Sequence, residues 1–248
     1  MTAEQLKASI LKLAIEGKLV EQRPEEGTAH ELYEKIQQER EKLISEGKLK
    51  KEKSLPEISE EEFLFEIPQS WKWTKLGMLV SKDIKRGKSP KYVQDSNILV
   101  FAQKCNSKYD GIKLDLAKCL DAQLIDKYPK EEFMVDKDII INSTGGGTMG
   151  RVGFYSSELN TCNKLVVPDT HVTIIRTVEN INSNYIFYYL KYSQKDLEKL
   201  GEGSTNQTEL KANVIQGFLV PIPPLEEQKR IVAKIEELFK IIDFKLNI

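Results

Sequence analysis

Three glycines have the spacing of a phosphate-binding turn. Gly145, Gly147 and Gly150 match the GxGxxG pattern, which in other proteins binds a dinucleotide or S-adenosylmethionine. That pattern has to open a helix whose first turn receives the phosphate, whereas residues 151–155 here form a β-type run. The sequence therefore predicts a flexible turn between two strands, in which glycine allows positive φ or the close approach of another backbone.

Other catalytic patterns are incomplete. Residues 87–89, Gly-Lys-Ser, resemble the end of a P-loop, but the first glycine of that loop would fall at Lys82. We find no Asn or Asp followed by Pro-Pro-aromatic, the tetrad that holds a flipped base, and no nuclease-like cluster of acids with a lysine. The two histidines lie far from the three cysteines, which form no close pair. The sequence is typical of a binding protein without catalytic residues, bound metal or disulfide.

A localised basic stretch points to nucleic acid as the ligand. Between Lys72 and Lys118, eleven Lys or Arg stand against four Asp, a net charge of +7, although the whole chain of 248 residues carries −1. Arg, Asn and Gln can make two hydrogen bonds to a purine edge, while Lys, Ser and Thr suit phosphates. The predicted DNA-binding residues are Lys85, Arg86, Lys88, Lys91, Tyr92, Lys104, Asn106, Lys108, Tyr109, Asn142, Ser143, Thr144, Arg151, Ser204, Thr205, Asn206 and Gln207. Solvated surface turns would contain the same residue types, so that alternative stays open for each residue.

Two N-terminal helices are expected to position this region. Thr2 with Gln5, and Thr28 with Glu31, have the spacing of a capping box, and Gly17 and Gly47 stand where a left-handed residue ends a helix. The apolar residues form a narrow stripe on each helix, so we expect both helices to need a partner that buries it. The stripes are Leu6, Ile10 and Leu13 on the first helix and Leu32, Ile36 and Leu43 on the second.

A third helix is predicted at the C-terminal end. Pro224 or Leu225 can begin it, since a helix tolerates proline in its first turn, and acidic residues at 226 and 227 complement its dipole. Its apolar residues step by four, three and four, as in a coiled-coil seam: Ile231, Ile235, Leu238 and Ile242. An amphipathic helix packed on its own domain would show the same pattern, so both alternatives stay open.

The middle of the chain predicts a mixed domain. Strands are expected at 98–102, 139–142, 152–155, 171–176 and 217–222, and Ser183 is expected to cap a helix over 184–200. Trp71 and Trp73 are expected on the strand that leads into this domain. The predicted class is α+β, with a helical segment at 1–53, a mixed domain at 54–222 and a helix at 223–248. No apolar run is long enough for a membrane span, so we expect a cytoplasmic protein.

Five segments together resemble the specificity subunit of Type I restriction-modification systems. They are residues 6–53 beginning LKASILKLAIEG, FEIPQSWKWTKLG at 65–77, INSTGGGTMGRVG at 141–153, GSTNQTELKANVI at 203–215 and PIPPLEEQKRIVAKIEELF at 221–239. The resemblance implies that the mixed domain is a target-recognition domain and that the helices form an antiparallel spacer on which methyltransferase subunits dock. A full subunit has two recognition domains, whereas this chain has room for one.

The resemblance therefore implies a half-subunit without catalytic activity. Two copies, paired through the helices, would read two inverted half-sites of double-stranded DNA. No cofactor is expected on this chain, because S-adenosylmethionine, ATP and Mg would be bound by methyltransferase and restriction subunits. Two alternatives from other classes stay open. One is the recognition fragment of a fused restriction-methylation enzyme, or an enzyme with an unfamiliar site; the other is a helical scaffold that binds no DNA.

Overall fold

The computed structural model describes residues 2–51, 58–108, 111–201 and 208–246, with an α+β fold and helices near both ends, as predicted. The chain forms two compact units. Unit 1 consists of Met1–Ser81, Val178–Tyr192 and Gly217–Ile248, and unit 2 consists of Lys82–Thr177 and Ser193–Gln216. These bounds differ from the three consecutive segments predicted from the sequence, because both units are built from separate stretches of chain.

The first two helices of unit 1 end as their sequences predict. Helix α1 (Ala3–Ile15) and helix α2 (Ala29–Ser45) both begin with the expected capping box. Gly17 and Gly47 have φ of +69° and +71°, and each is followed by a lysine whose amide bonds back to the carbonyl of a leucine in the last helical turn. This Schellman geometry satisfies carbonyls that would otherwise lack a donor.

Helix α6 (Leu225–Leu246) packs inside its own unit. It lies antiparallel to α1. Asp243 near the end of α6 pairs at 2.5 Å with Lys7 in the first half of α1, and Arg230 near the start of α6 pairs at 2.7 Å with Glu26, which follows the end of α1. Within the seam, Ile231, Ile235 and Ile242 are buried and Leu238 is half-buried. Of the two alternatives that the sequence left open, the described structure favours an amphipathic helix packed within its own unit. None of the described helices combines the length and hydropathy needed to cross a membrane.

Helix α1 buries a different face from the predicted one. Leu6 and Ile10 are half-buried and Leu13 is exposed, whereas the buried residues are Ala3, Leu11, Ala14 and Ile15. The predicted stripe is therefore not the face that packs within unit 1, and its burial by a partner stays a prediction. On α2 the prediction is closer, since Leu32 and Ile36 are buried and Leu43 is half-buried.

The rest of unit 1 is a two-stranded sheet with one helix against it. Strand β1 (Lys72–Lys75) follows Trp71 and runs antiparallel to strand β10 (Leu219–Ile222). Helix α3 (Ser183–Tyr192) packs beside them, because Tyr185 and Tyr189 donate hydroxyl hydrogen bonds to carbonyls of β10.

Two sequence predictions on helix α3 need correction. Asn182, not Ser183, caps the helix: its side-chain oxygen accepts the amides of residues 184 and 185. The predicted helix over 184–200 also breaks at Ser193, after which helix α4 (Gln194–Lys199) belongs to unit 2.

Unit 2 contains two four-stranded sheets. The first has the order β2-β9-β6-β7 and is antiparallel: Lys85–Arg86, Val172–Ile175, Ile139–Asn142 and Val152–Phe154. The second has the order β3-β5-β4-β8, with the β4–β8 pair parallel: Tyr92–Val93, Lys118–Leu120, Ile98–Phe101 and Leu165–Pro168. Helix α5 (Ala212–Gly217) follows, so β10 begins two residues later than the predicted strand.

The core of unit 2 lies on the faces of these strands. One buried cluster joins Phe101 and Val166 of the second sheet to Ile140 and Ile174 of the first. Ile98, Val100 and Leu120 contribute to another cluster. Side chains on a strand alternate between faces, so β4 contributes to both clusters. On the other face of the first sheet Ile139, Ile141 and Ile175 are buried as well, and the glycine turn between β6 and β7 lies at the end of this sheet.

Candidate nucleic-acid interface

The glycine segment is a tight turn between β6 and β7, as the sequence predicts. Gly145, Gly147 and Gly150 have φ of +94°, +77° and +77°, a region that favours glycine. The Gly150 amide bonds to the Asn142 carbonyl at 2.8 Å and closes the turn. A Cβ atom on Gly150 would lie 2.9 Å from the Glu198 amide nitrogen, so glycine is also required for the close approach of α4.

Three predicted DNA contacts lie buried beneath this turn. The side-chain nitrogen Nδ2 of Asn106 donates to Asn142 Oδ1 at 3.2 Å and to the Arg151 carbonyl at 3.1 Å. Ser143 Oγ lies 2.5 Å from Thr173 Oγ1. All three side chains are buried and use their polar atoms within the protein. Asn106, Asn142 and Ser143 therefore stabilise the turn from within the protein, and their side chains are not exposed to a ligand.

Arg151 also supports the turn. Its Nη1 donates to the Asn106 carbonyl at 2.8 Å and its Nη2 to the Gly147 carbonyl at 3.3 Å. The side chain lines a polar cavity of about 280 Å³ beside the turn, together with Lys108 and the α4 residues Gln194 and Glu198. Two of the five N–H donors of this guanidinium are therefore used on backbone carbonyls.

A second group lies at the first residues of the turn. Thr144 Oγ1 lies 2.6 Å from His171 Nδ1, and the Thr144 backbone forms an isolated bridge with Glu209. Glu209 Oε1 pairs with Arg86 Nη2 at 2.7 Å, and both side chains remain more than a third exposed. The segment at 208–210 therefore brings an acid next to the Arg86 guanidinium at the surface.

Lys85 and Lys88 share one buried carboxylate. Lys85 Nζ lies 2.8 Å from Glu132 Oε1 and Lys88 Nζ lies 3.5 Å from Glu132 Oε2, whereas Glu132 is buried. Lys88 also lies over the Tyr128 ring. A carboxylate removed from water needs cationic partners, so Glu132 fixes both ammonium groups near the surface. The three residues together keep a net charge of +1.

Lys85 and Arg86 point in opposite directions. They are the two residues of β2, opposite Ile174 and Thr173 of β9. Because successive side chains on a strand alternate, Lys85 lies on the face with the core isoleucine and Arg86 on the other face. Their partner acids differ accordingly, with Glu132 on one side and Glu209 on the other. The predicted basic stretch therefore does not form a single patch.

The remaining predicted bases are exposed. Lys91 pairs with Asp121 at 2.8 Å, and this hydrogen bond raises the pKa of Lys91 and lowers that of Asp121. Tyr92 is exposed, with Lys118 over its ring. Lys104 and Lys108 are exposed. Tyr109, Ser204, Thr205, Asn206 and Gln207 lie outside the described residues.

Sequence reasoning missed the acids of this region. Counting charges from 72 to 118 leaves out Asp121, Glu132 and Glu209, which neutralise much of the basic stretch. Glu209 follows the polar loop closely in sequence, which was an available signal. Nothing local marks Glu132, because its partners are 44 and 47 positions away. Within the described part of the chain, no three His, Cys, Asp or Glu residues come together in a way that could hold a metal ion.

The family of the chain follows from comparison with known proteins. The model of the Type I restriction modification DNA specificity domain matches residues 68–248, which is most of the sequence. The chain belongs to this family. The match covers the glycine turn, the segment at 208–210, β2 and α6, and it confirms the resemblance drawn from the motifs.

Curated relatives extend the similarity to the N-terminal helices. The chain is 29% identical over 253 residues to the Type I restriction enzyme EcoEI specificity subunit of Escherichia coli, with 97% of the chain and 41% of the relative covered. It is 30% identical over 248 residues to the EcoAI specificity subunit of the same species, with 97% and 40% covered. The chain thus spans about two fifths of the length of these relatives, which supports a half-length form.

Solved structures share the fold. The HsdS subunit from Thermoanaerobacter tengcongensis aligns with a TM-score of 0.52 and 18% identity, over 98% of this chain and 51% of that one. A chain from a study of complex assembly and conformational transition in the type I R-M system gives a TM-score of 0.52 at 17% identity, over 97% and 50%. The fold of this family member therefore corresponds to about half of each structure.

Proposed function

We propose that this chain reads the sequence of double-stranded DNA as a half-length specificity subunit of a Type I restriction-modification complex acting in the cytoplasm. The observation that carries the proposal is the match of residues 68–248 to a DNA specificity domain. The geometry of unit 2 supports it, because Lys108 and Arg151 line the cavity beside the glycine turn, and Lys85 and Arg86 form strand β2 of the first sheet. Lys85 and Lys88 keep a net positive charge next to Glu132, as phosphate binding requires.

The chain itself would carry out no catalytic step. Methyl transfer from S-adenosylmethionine would belong to a methyltransferase subunit, and ATP- and Mg-dependent cleavage to a restriction subunit. The paired helices α1 and α6 would hold the methyltransferase, and unit 2 would choose the site. This division of tasks agrees with the contacts in unit 2, where polar side chains stabilise the glycine turn or pair with a side chain of opposite charge.

The proposal includes a dimer, because the chain spans only about two fifths of its curated relatives. A second copy would supply the missing recognition unit, so that the pair reads two inverted half-sites. The helices leave apolar residues for such a contact: Leu13 and Ile241 are each 42% exposed, and Phe244 is 84% exposed. We propose that a second copy of this chain covers Leu13, Ile241 and Phe244.

DNA binding is tested by its salt dependence. The triple variant Lys85→Gln, Lys88→Gln, Lys91→Gln should weaken duplex binding and reduce the slope of log K against log salt by about 2 to 3. The control replaces three exposed lysines elsewhere, Lys199, Lys229 and Lys234, by Gln and should leave the slope unchanged. Equal slopes for wild type and triple variant would contradict phosphate contact at these lysines.

The dimer is tested by light scattering. The wild-type chain should have twice its mass of 28.4 kDa, and Ile241→Asp with Phe244→Asp should return it to a single copy. Leu159→Asp is the matched control, because Leu159 is as exposed as Ile241 but lies in unit 2. A wild-type mass of one copy, alone and with the methyltransferase, would exclude the symmetric arrangement.

A further inference from the structure

The described structure separates the predicted residues that could read a base from those that cannot. Reading a purine edge needs a side chain with two hydrogen-bonding groups in one plane. Four described candidates have them: Arg86, Asn106, Asn142 and Arg151. The two asparagines are buried, and Arg151 donates to two backbone carbonyls. Arg86 differs from these three, because its guanidinium bonds to the Glu209 side chain at the surface.

The contacts of Arg86 leave most of its donors available. Among the described residues, the ion pair from Nη2 to Glu209 is its only polar contact. A guanidinium has five N–H donors in one plane, so the Nε hydrogen, both Nη1 hydrogens and the second Nη2 hydrogen stay open to a ligand. The side chain leaves β2 on the face of Thr173, opposite to the face of Ile174, and more than a third of it is exposed.

The charge beside Arg86 distinguishes between two kinds of ligand. Arg86 and Glu209 together are neutral, and a phosphate placed on them would meet the Glu209 carboxylate next to its cation. A guanine edge is uncharged and offers two acceptors, O6 and N7, that match a guanidinium. Lys85 and Lys88, in contrast, retain one positive charge with Glu132 and suit a phosphate.

We propose that Arg86 is a specificity-determining residue that reads a guanine in each half-site, with Glu209 as the residue that positions its guanidinium. This inference rests on the proposed DNA function and deepens it. A carboxylate on one nitrogen restricts the side chain to few rotamers, so less conformational entropy is lost when the guanine binds. The turn contributes through Thr144, whose backbone bridges to Glu209 and keeps the acid beside β2.

The test is selection of bound duplexes from a random library by the full chain with its methyltransferase partner. Arg86→Gln should reduce the preference for G·C at one position of each half-site by roughly tenfold to a hundredfold. Lys85→Gln is the matched control, because it removes one charge from the neighbouring residue on the same strand. It should weaken all duplexes alike and leave the selected motif unchanged.

Glu209→Gln gives an independent readout. Losing the carboxylate should relax the preference at the same position, and it should strengthen binding to unrelated duplexes because an anion is removed. A merely structural Glu209 would weaken both kinds of binding.

Three outcomes would overturn the assignment. If Arg86→Gln keeps the wild-type motif, Arg86 reads no base. If it weakens every duplex equally, as Lys85→Gln should, Arg86 contacts phosphate. If the wild-type chain selects no motif at all, the proposed DNA function fails together with the assignment. This result differs from the other two because it is seen without any variant.

Discussion

Trp71 Nε1 donates a hydrogen bond of 3.0 Å to Glu227 Oε2, which joins the residue before β1 to the first turn of α6. Gln22 donates to the other oxygen of Glu227 at 2.6 Å. Burial raises the pKa of Glu227, and these two hydrogen bonds oppose that rise. Three distant parts of unit 1 therefore meet at one buried carboxylate.

Replacing Trp71 by Phe should destabilise the protein more than replacing Trp73 by Phe. Both side chains are buried, at 3% and 6% exposure, but Trp73 Nε1 has no hydrogen-bond partner among the described residues. Trp71→Phe leaves a buried acceptor with one donor fewer, so its additional cost should be about 1–3 kcal/mol. Denaturant unfolding of both variants measures the difference.

The same pair predicts a pH effect. A raised pKa means that the folded state binds the Glu227 proton more tightly than the unfolded chain, so this group's contribution to stability falls as pH rises through its titration. Trp71→Phe removes a donor to the ionised form, and its cost should be larger at pH 7 than at pH 4. A cost that does not change with pH would show that this hydrogen bond does not favour the ionised form of Glu227.

Ile235→Ala should destabilise the protein by about 2–5 kcal/mol, because Ile235 is buried in the α6 seam. Ile241→Ala on the same helix removes the same atoms from a side chain that is 42% exposed. Measured on the single chain at high dilution, Ile241→Ala should cost about 1–3 kcal/mol, in proportion to the smaller area that Ile241 buries. Equal costs would mean that α6 does not pack within its own unit.

Gly87→Ala should disturb β2, because a Cβ atom there would lie 1.9 Å from the Pro168 carbonyl oxygen. Backbone atoms cannot move aside cheaply, so we expect a loss of about 1–3 kcal/mol in the free energy of unfolding. Gly146→Ala is the control, since nothing lies within 4 Å of the added atom and φ is not in the left-handed region. Equal stability of the two variants would contradict the close approach of β2 to Pro168.

Lys82→Met should stabilise the protein at pH 7. Burial lowers the pKa of Lys82 to about 8, with Arg176 and Lys85 adding to the effect and Asp138 and Glu132 opposing it. Between pH 8 and about 10 the unfolded chain keeps this proton and the folded protein does not, so wild-type stability should rise with pH there. Unfolding at several pH values should show that rise in wild type and a flatter profile in Lys82→Met. A parallel profile would refute the effect.

Local structure was predictable from the sequence where neighbouring residues determine it. The capping boxes, the glycine helix ends and the glycine turn depend on hydroxyls, amides and φ angles within a few positions. The class α+β and strands β4, β6, β7 and β9 followed from the same local patterns, whereas the short strand β5 was missed.

Long-range pairing was not predictable in this way. Nothing near Ile235 shows that α1 of the same chain covers it, and nothing near Asn106 shows that Arg151 and Asn142 take its amide. The acid beside Arg86 is 123 positions away in sequence. Local spacing gives the chemistry of these side chains, whereas contacts between distant segments decide which of them are left for a ligand.

The central claim, a half-length reader of DNA that works as a symmetric pair, is tested most directly by methylome sequencing of a host carrying this gene and its methyltransferase partner. A symmetric pair should produce a methylated motif of two short inverted half-sites separated by an unread spacer. An asymmetric bipartite motif, or no motif that depends on this gene, would contradict it.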